Sequence, residues 1–268
     1  MKRFFSSALA IALVILLVVS AAACGGATGK LKKIKSAGKI TVYTDPNFSP
    51  FEFLGANSEI VGVDVEIAKA IAAELGVTAD LKEGKFDSIL MSLKGGKGDV
   101  AISGFTITAE RRENVDFSDP YINSVQYLIL PEGSDVAVLE DLAGKTVGVA
   151  KGYTGQLLLD DETSDEGTLG GANTTVNAYN SAMEAVLDLN TGRIVAVVMD
   201  EYVAKNLVAS NAGLVAIELR YSDGSLASEE YGVAVPKGNE DLLAVINTVI
   251  ARLKSEQKIE QWVVDFSS

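Results

Sequence analysis

Apolar positions along the chain recur with two periods, and the alternation between them marks a series of strands and helices. Ile40 to Thr44 reads as a strand. The loop after it, Asp45 to Phe53, contains Pro46 and Pro50, which stop a strand or helix from continuing. Ile67, Ala68, Ile71, Ala72 and Leu75 then fall at helical spacing, with Asp64 read as the N-cap and Gly76 as the stop. A strand near Val77 to Leu81 follows, then a helix from Asp87 to Leu93 that Phe86 opens and Gly95-Gly96 closes. Asp99 to Ser103 is the next strand. This β-α-β-α-β order predicts an α/β fold with a mostly parallel sheet.

The pattern changes at Tyr121, where Tyr127 to Leu130 reads as a strand ending at Pro131. It then starts again. Thr146 to Ala150 is a strand, and Lys151-Gly-Tyr-Thr-Gly155 is a glycine-bearing turn into a helix. Asn180 is read as the N-cap of a helix from Ser181 to Asn190, and Ile194 to Met199 as a strand ending at Asp200. A second α/β unit is therefore nested in the chain. Tyr231 to Pro236 reads as one further strand. Asn239 is expected to cap a last helix with Leu243, Ile246, Ile250 and Leu253 on one face.

The stretch from Ser103 to Asp119 concentrates the candidate chemistry. Ser103, Gly104 and Thr106 bring backbone and hydroxyl groups to the end of a buried strand, and Thr108 is a good N-cap. Arg111 would then lie in the first turn of a helix, where a guanidinium beside free N–H groups suits a carboxylate. The simpler alternative is that Arg111 pairs with Glu110 or Glu113. Asp200 has a plain alternative as well, as N-cap of a helix from Glu201 to Val208.

Composition excludes several classes. The 268 residues are 48% hydrophobic, enough for a sizeable core, and carry a net charge of −13. That balance disfavours nucleic acid, which needs clustered Lys and Arg. The chain has no histidine, which removes His-activated nucleophiles and His-based metal sites. A single cysteine, Cys24, allows no intrachain disulfide. The acidic run from Asp160 to Glu166 lacks EF-hand spacing and reads as a solvated loop. No cofactor is expected.

Residues 1–24 read as a targeting segment: Lys2 and Arg3, an apolar core from Ala8 to Val19, then Ser20-Ala-Ala-Ala-Cys24. The last string resembles a bacterial lipobox, with Ala21 where leucine is usual, and implies lipidation at Cys24; plain secretory cleavage after Ala23 is the alternative. Removal of Lys2 and Arg3 leaves 21 basic against 36 acidic residues, a charge of −15. Residues 25–35 are expected to be a tether, although Leu31 and Ile34 already have inward-facing spacing.

Five strings in order carry a resemblance: Thr44-Asp-Pro-Asn-Phe-Ser-Pro-Phe-Glu-Phe53, Val61-Gly-Val-Asp-Val-Glu66, Thr106-Ile-Thr-Ala-Glu-Arg111, Val115-Asp-Phe-Ser-Asp-Pro-Tyr121 and Glu230-Tyr-Gly-Val-Ala-Val-Pro-Lys-Gly238. Together they resemble the polar amino-acid-binding proteins of bacterial ABC importers, from about Lys39 to Phe266. The resemblance implies a two-lobed clamshell of the periplasmic-binding-protein type II fold. Lobe 1 would span 36–121 with 231–268, and lobe 2 would span 126–226. Hinge strands would lie at about 121–125 and 227–231.

By position, it further implies that Arg111 pairs with the ligand carboxylate, helped by the N–H of Thr106 and the turn at Thr154. Asp200 would take the α-ammonium, with the Gly104 carbonyl and the Thr106 hydroxyl; Ser103 belongs to the same loop. Phe48 and Phe86 would flank the ligand side chain, core packing being their alternative. Asp45, Ala150 and Met199 would line the selective far end. Tyr153 departs from the small hydroxyl residue common in this turn and is expected to narrow the cleft. The implied function is extracytoplasmic capture of a polar L-amino acid, with a basic or amide side chain hinted by Asp45, and delivery to an ABC permease. The protein would be a monomer held by its lipid anchor on the outer face of the cell membrane, or periplasmic. The competing reading is a dehydratase or lyase acting on a small carboxylate. Without histidine, only Asp45 and Asp200 could supply its acid or base.

Overall fold

The computed structural model describes residues 29–267; the expected signal segment and lipobox, with Cys24, lie outside the described residues. Helix α1 (Gly29–Ala37) buries Leu31 and Ile34, so the expected tether is folded from Gly29 onward. The Lys30 ammonium clasps α1 to the body, donating to the Gly98 carbonyl at 2.7 Å and pairing with Asp99 at 3.1 Å.

The first lobe is built on β1 (Lys39–Thr44), with β5 (Thr78–Glu83) and β6 (Val100–Ala101) parallel on either side of it. The sheet continues through β14 (Ala234–Pro236), antiparallel, to β7 (Val115–Phe117). β2 (Asn47–Phe48), β3 (Glu52–Leu54) and β4 (Ile60–Val61) form a small antiparallel sheet beside it. α2 (Val63–Leu75) buries Ile67, Ala68, Ile71, Ala72 and Leu75, as its spacing predicts, and Gly76 ends it in the left-handed conformation at φ 70°. α3 (Phe86–Lys94) follows β5. α8 (Glu240–Ser255) packs on α2, and α9 (Lys258–Phe266) packs on both. The buried face of α8 is Leu242, Ile246, Val249, Ile250 and Leu253; Leu243 is only half-buried.

The second lobe centres on β9 (Thr146–Ala150), with β10 (Thr175–Tyr179) and β11 (Ala196–Asp200) parallel to it. β8 (Ile122–Pro131) lies antiparallel between β11 and β12 (Leu214–Glu218). α5 (Thr154–Glu162), α6 (Ala182–Asn190) and α7 (Glu201–Ala209) complete the lobe. Strand parity divides its core. Leu128, Leu130, Val147, Val149, Ala196 and Val198 face one apolar cluster. Tyr127, Ile129, Ala150, Val197 and Met199 face the other, which continues into the first lobe.

One ten-residue strand joins the halves. β8 pairs along Ile122 to Val125 with β13 (Ser228–Tyr231) and along Gln126 to Pro131 with the second sheet. Tyr231 to Pro236 is thus two strands, because Gly232 and Val233 break the run between β13 and β14. Two cap assignments also change. Ser181, not Asn180, caps α6 by accepting the Glu184 N–H. Asn239 stands at the start of α8 but turns its amide back to the Pro236 carbonyl.

Asp64 does not cap α2 either. The residue before the helix, Gly62, has φ 128° and ψ −178°, a region in which side chains are strained. A Cβ there would stand 2.2 Å from the Phe51 carbonyl oxygen. The chain needs that turn to put Asp64 inside the protein. Gly62→Ala is expected to lower unfolding free energy by at least about 2 kcal/mol, read as a shifted denaturant midpoint; an unchanged midpoint would show that the turn tolerates a side chain.

Candidate ligand-binding cleft

The carboxyl ends of β1, β6, β9 and β11 meet where the lobes face each other, the position at which open α/β sheets bind ligands. Thr108 accepts the Arg111 N–H at 3.1 Å and fixes the start of α4 (Ala109–Asn114), as expected. Arg111 is buried. Its donors do not go to Glu110 or Glu113: Nη1 donates to the Thr106 carbonyl at 2.8 Å, and Nη2 crosses the cleft to the Gly152 carbonyl at 3.1 Å. The guanidinium carbon lies 5.4 Å from the Phe86 ring centroid and 5.6 Å from that of Phe105.

Opposite it, Asp200 occupies the N-cap position of α7, yet its carboxylate caps nothing. Oδ1 accepts from Gln126 Nε2 at 2.7 Å, and Oδ2 accepts from the Tyr231 hydroxyl at 2.8 Å. Glu229 lies beside it, accepting from Thr106 Oγ1 at 2.9 Å and from Gln126 Nε2 at 3.1 Å. Thr154 Oγ1 donates across the cleft to Thr106 Oγ1 at 2.6 Å. Burial raises both carboxyls, Glu229 well above its ordinary value because the Asp200 charge adds to the effect. Donors from Gln126 and Tyr231, with the nearby Arg111 charge, favour the Asp200 carboxylate and oppose its rise. Burial lowers the Arg111 pKa, and the charges of Asp200 and Glu229 act against that shift.

Gln126, Glu229 and Tyr231 are site groups that the sequence reading missed. A signal was present: Glu229 and Tyr231 are two apart on a strand and share a face, within a segment already expected to be a hinge.

The aromatic residues lie together. Phe48 and Phe86 are buried, and Tyr153 touches both, stacked on Phe86 with centroids 4.0 Å apart and 5.6 Å from Phe48. Asp45 is buried, accepting from Asn47 Nδ2 at 2.6 Å and from the Phe86 N–H at 3.0 Å. Burial raises its pKa above the ordinary value. It opens on a cavity of about 510 Å³ that carries Glu83, Asp87 and Glu184 against Lys85 and Lys151. Ala150 and Met199 do not line this cavity. They are inward-facing positions near the ends of β9 and β11 and belong to the apolar cluster shared with Phe86 and Tyr153. Lys151 closes the rim by pairing with Asp87 at 2.8 Å.

Residues 40–266 match the family described as bacterial extracellular solute-binding proteins, family 3. The chain belongs to that family. The L-cystine-binding protein of Escherichia coli is 32% identical over 234 residues, covering 87% of this chain and 84% of its own. Among solved structures, a mutant of ArgBP from T. maritima is 39% identical with a TM-score of 0.77, covering 88% of this chain and 98% of its own. An amino acid ABC transporter substrate-binding protein from Streptococcus pneumoniae, bound to L-arginine, is 32% identical with a TM-score of 0.79, covering 89% and 97%. The family and these relatives are non-enzymatic binding proteins of transport, so the dehydratase or lyase reading falls.

In this family 3 protein, Ser103 and Gly104 sit on the cleft floor but turn to a second buried pair. Ser103 Oγ donates to Glu52 Oε1 at 2.6 Å and accepts the Asp45 N–H at 3.0 Å. Gly104 N donates to Asp64 Oδ2 at 2.8 Å, and the Tyr121 hydroxyl to the same oxygen at 3.0 Å. Gly104 has φ +53°, and a Cβ would meet Phe48 Cε1 at 2.2 Å. Glu52 Oε2 and Asp64 Oδ1 are buried without a donor. The two carboxyls face each other, and one proton held between them satisfies both oxygens.

Burial raises Glu52 well above its ordinary value, with the Asp64 charge adding, and pushes Asp64 up to about 6. At this pair the folded protein therefore holds more protons than the unfolded chain above about pH 4, and the pair's contribution to stability falls as pH rises from there through 6. Glu52→Gln keeps a donor for Asp64 and removes one titration. We expect the gain in denaturant midpoint between pH 7.5 and pH 5 to be smaller in Glu52→Gln than in wild type, with exposed carboxylates cancelling in the comparison. Equal gains in the two proteins would contradict the shared proton.

Proposed function

We propose that this protein captures a polar L-amino acid with a basic or amide side chain between its two lobes and delivers it to the permease of an ABC importer. The observation that carries this reading is the convergence of Arg111 with the Asp200–Glu229 pair across the cleft. A zwitterion needs one cation and one anion in a water-poor place, and these groups are buried and supplied by different lobes. The ligand carboxylate would replace the Gly152 carbonyl on Nη2 of Arg111. Its ammonium would be held by Asp200, with Glu229 and Thr106 beside it. Phe48 and Phe86 would flank the side chain. Asp45 and the acidic cavity beyond it favour a cationic end, in keeping with the relative bound to L-arginine.

Lobe 1 is taken as 36–121 with 231–268, lobe 2 as 126–226, and the connecting strands as 121–125 and 227–231. The mature protein would be a monomer anchored outside the membrane through lipidated Cys24.

Each charge-assisted hydrogen bond contributes about 1.5–3 kcal/mol, so a handful reaches the roughly 8 kcal/mol of micromolar binding after the cost of closure. Isothermal calorimetry against a panel of L-amino acids should give heat with L-arginine or another basic or amide member. Arg111→Ala should weaken that binding at least about a hundredfold, the loss of two such bonds. Silence across the panel would reject the ligand class, and an unaltered affinity in Arg111→Ala would reject the role of the guanidinium.

A further inference from the structure

We infer that the Tyr153 ring is a built-in occupant of the aromatic slot formed by Phe48 and Phe86, which every ligand has to displace, so that this one residue lowers the affinity of the site for all ligands alike. The inference rests on the reading of this cleft as an amino-acid site.

Three features lead to it. The ring is stacked on Phe86 at 4.0 Å and 29°, the separation of rings in contact, and Phe86 is itself stacked on Phe105 at 4.6 Å. No flat ligand group fits between two rings already touching. On its other side, Tyr153 lies 5.6 Å from Phe48 at 49°. The ring also lies between the site charges: the carbonyl of its neighbour Gly152 takes Arg111 Nη2, and Phe86, on which it stacks, gives its N–H to Asp45. It therefore covers the span from the carboxylate end of the site to the side-chain end.

Tyr153 has extended backbone angles, φ −76° and ψ 162°, just before α5. Gly152, at φ +78°, is held from within the same turn by Gln156 Oε1, which accepts its N–H at 2.8 Å. A change of side-chain rotamer moves the ring without disturbing that turn.

Displacing an internal occupant reduces the apparent affinity of any ligand by the fraction of molecules with the slot free. The reduction is the same for every ligand, because the displaced group is the same. This separates an occupant from a residue that contacts the ligand, whose removal changes different ligands by different factors.

The test is calorimetry with L-arginine, L-lysine and L-glutamine on wild type, Tyr153→Ser and Tyr153→Phe, together with small-angle X-ray scattering without ligand. Tyr153→Ser should tighten all three by one common factor, about tenfold or more, equal to about 1.4 kcal/mol. Tyr153→Phe keeps the ring and should not tighten the three ligands by that factor. Wild type without ligand should scatter as compactly as with it, and Tyr153→Ser without ligand should be more extended. Unchanged or weakened binding in Tyr153→Ser, or factors that differ among the ligands, would overturn the inference. If no amino acid binds any of the proteins, the proposed ligand class fails and scattering alone decides: equal radii in wild type and Tyr153→Ser overturn the occupant. If Tyr153→Ser does not melt cooperatively, Tyr153→Thr replaces it. Wild type that is extended without ligand overturns the inference by itself.

Discussion

A buried charge is costly unless something of opposite sign or a full set of donors comes with it. In this protein that constraint falls on the seam between two lobes. Arg111 comes from the first, Asp200 from the second, and Glu229 from the strand that crosses between them. None of the three can be left facing an apolar wall. The seam is stable because Thr106, Gln126, Tyr231 and two backbone carbonyls divide the donors and acceptors among them. The same groups are arranged for a molecule carrying both charges, so the polar chemistry of binding and of lobe contact is one set of atoms.

The sheets supply the geometry. Parallel strands with helical crossovers bring their carboxyl ends to one edge of each lobe, and β8 with β13 holds those edges face to face. Parity then decides which side chains reach the seam. Along β8, Gln126 ends the hinge half and begins the second-lobe half, so its amide serves Asp200 and Glu229 together. Beneath the floor, the Glu52–Asp64 pair pins Ser103 and Gly104, and through Gly104 the position of Phe48.

Much of this was legible in the sequence. The β-α order, the stop at Gly76, the Thr108 cap and the burial of Ile67 to Leu75 follow from local periodicity and local hydrogen bonding, which depend only on near neighbours. The side chains that failed to follow local rules are those with distant partners. Asp64 was read as a cap because it opens a helix, yet it serves Gly104 and Tyr121, 40 and 57 residues away. Ser103, expected in the binding loop, joins Glu52 to Asp45 through its hydroxyl. Glu229 was missed because its meaning depends on Thr106, 123 residues earlier. Ala150 and Met199, expected at the selective end by position, face the apolar cluster that also holds Phe48, Phe86 and Tyr153.

The clasp on α1 has a consequence for how the molecule is carried. Lys30, Leu31 and Ile34 fasten that helix to the first lobe, against Asp99 and the core below it. The start of the described chain is therefore fixed to the first lobe alone. The second lobe is joined to it through β8 and β13 and through side-chain contacts across the cleft, and none of these involves α1.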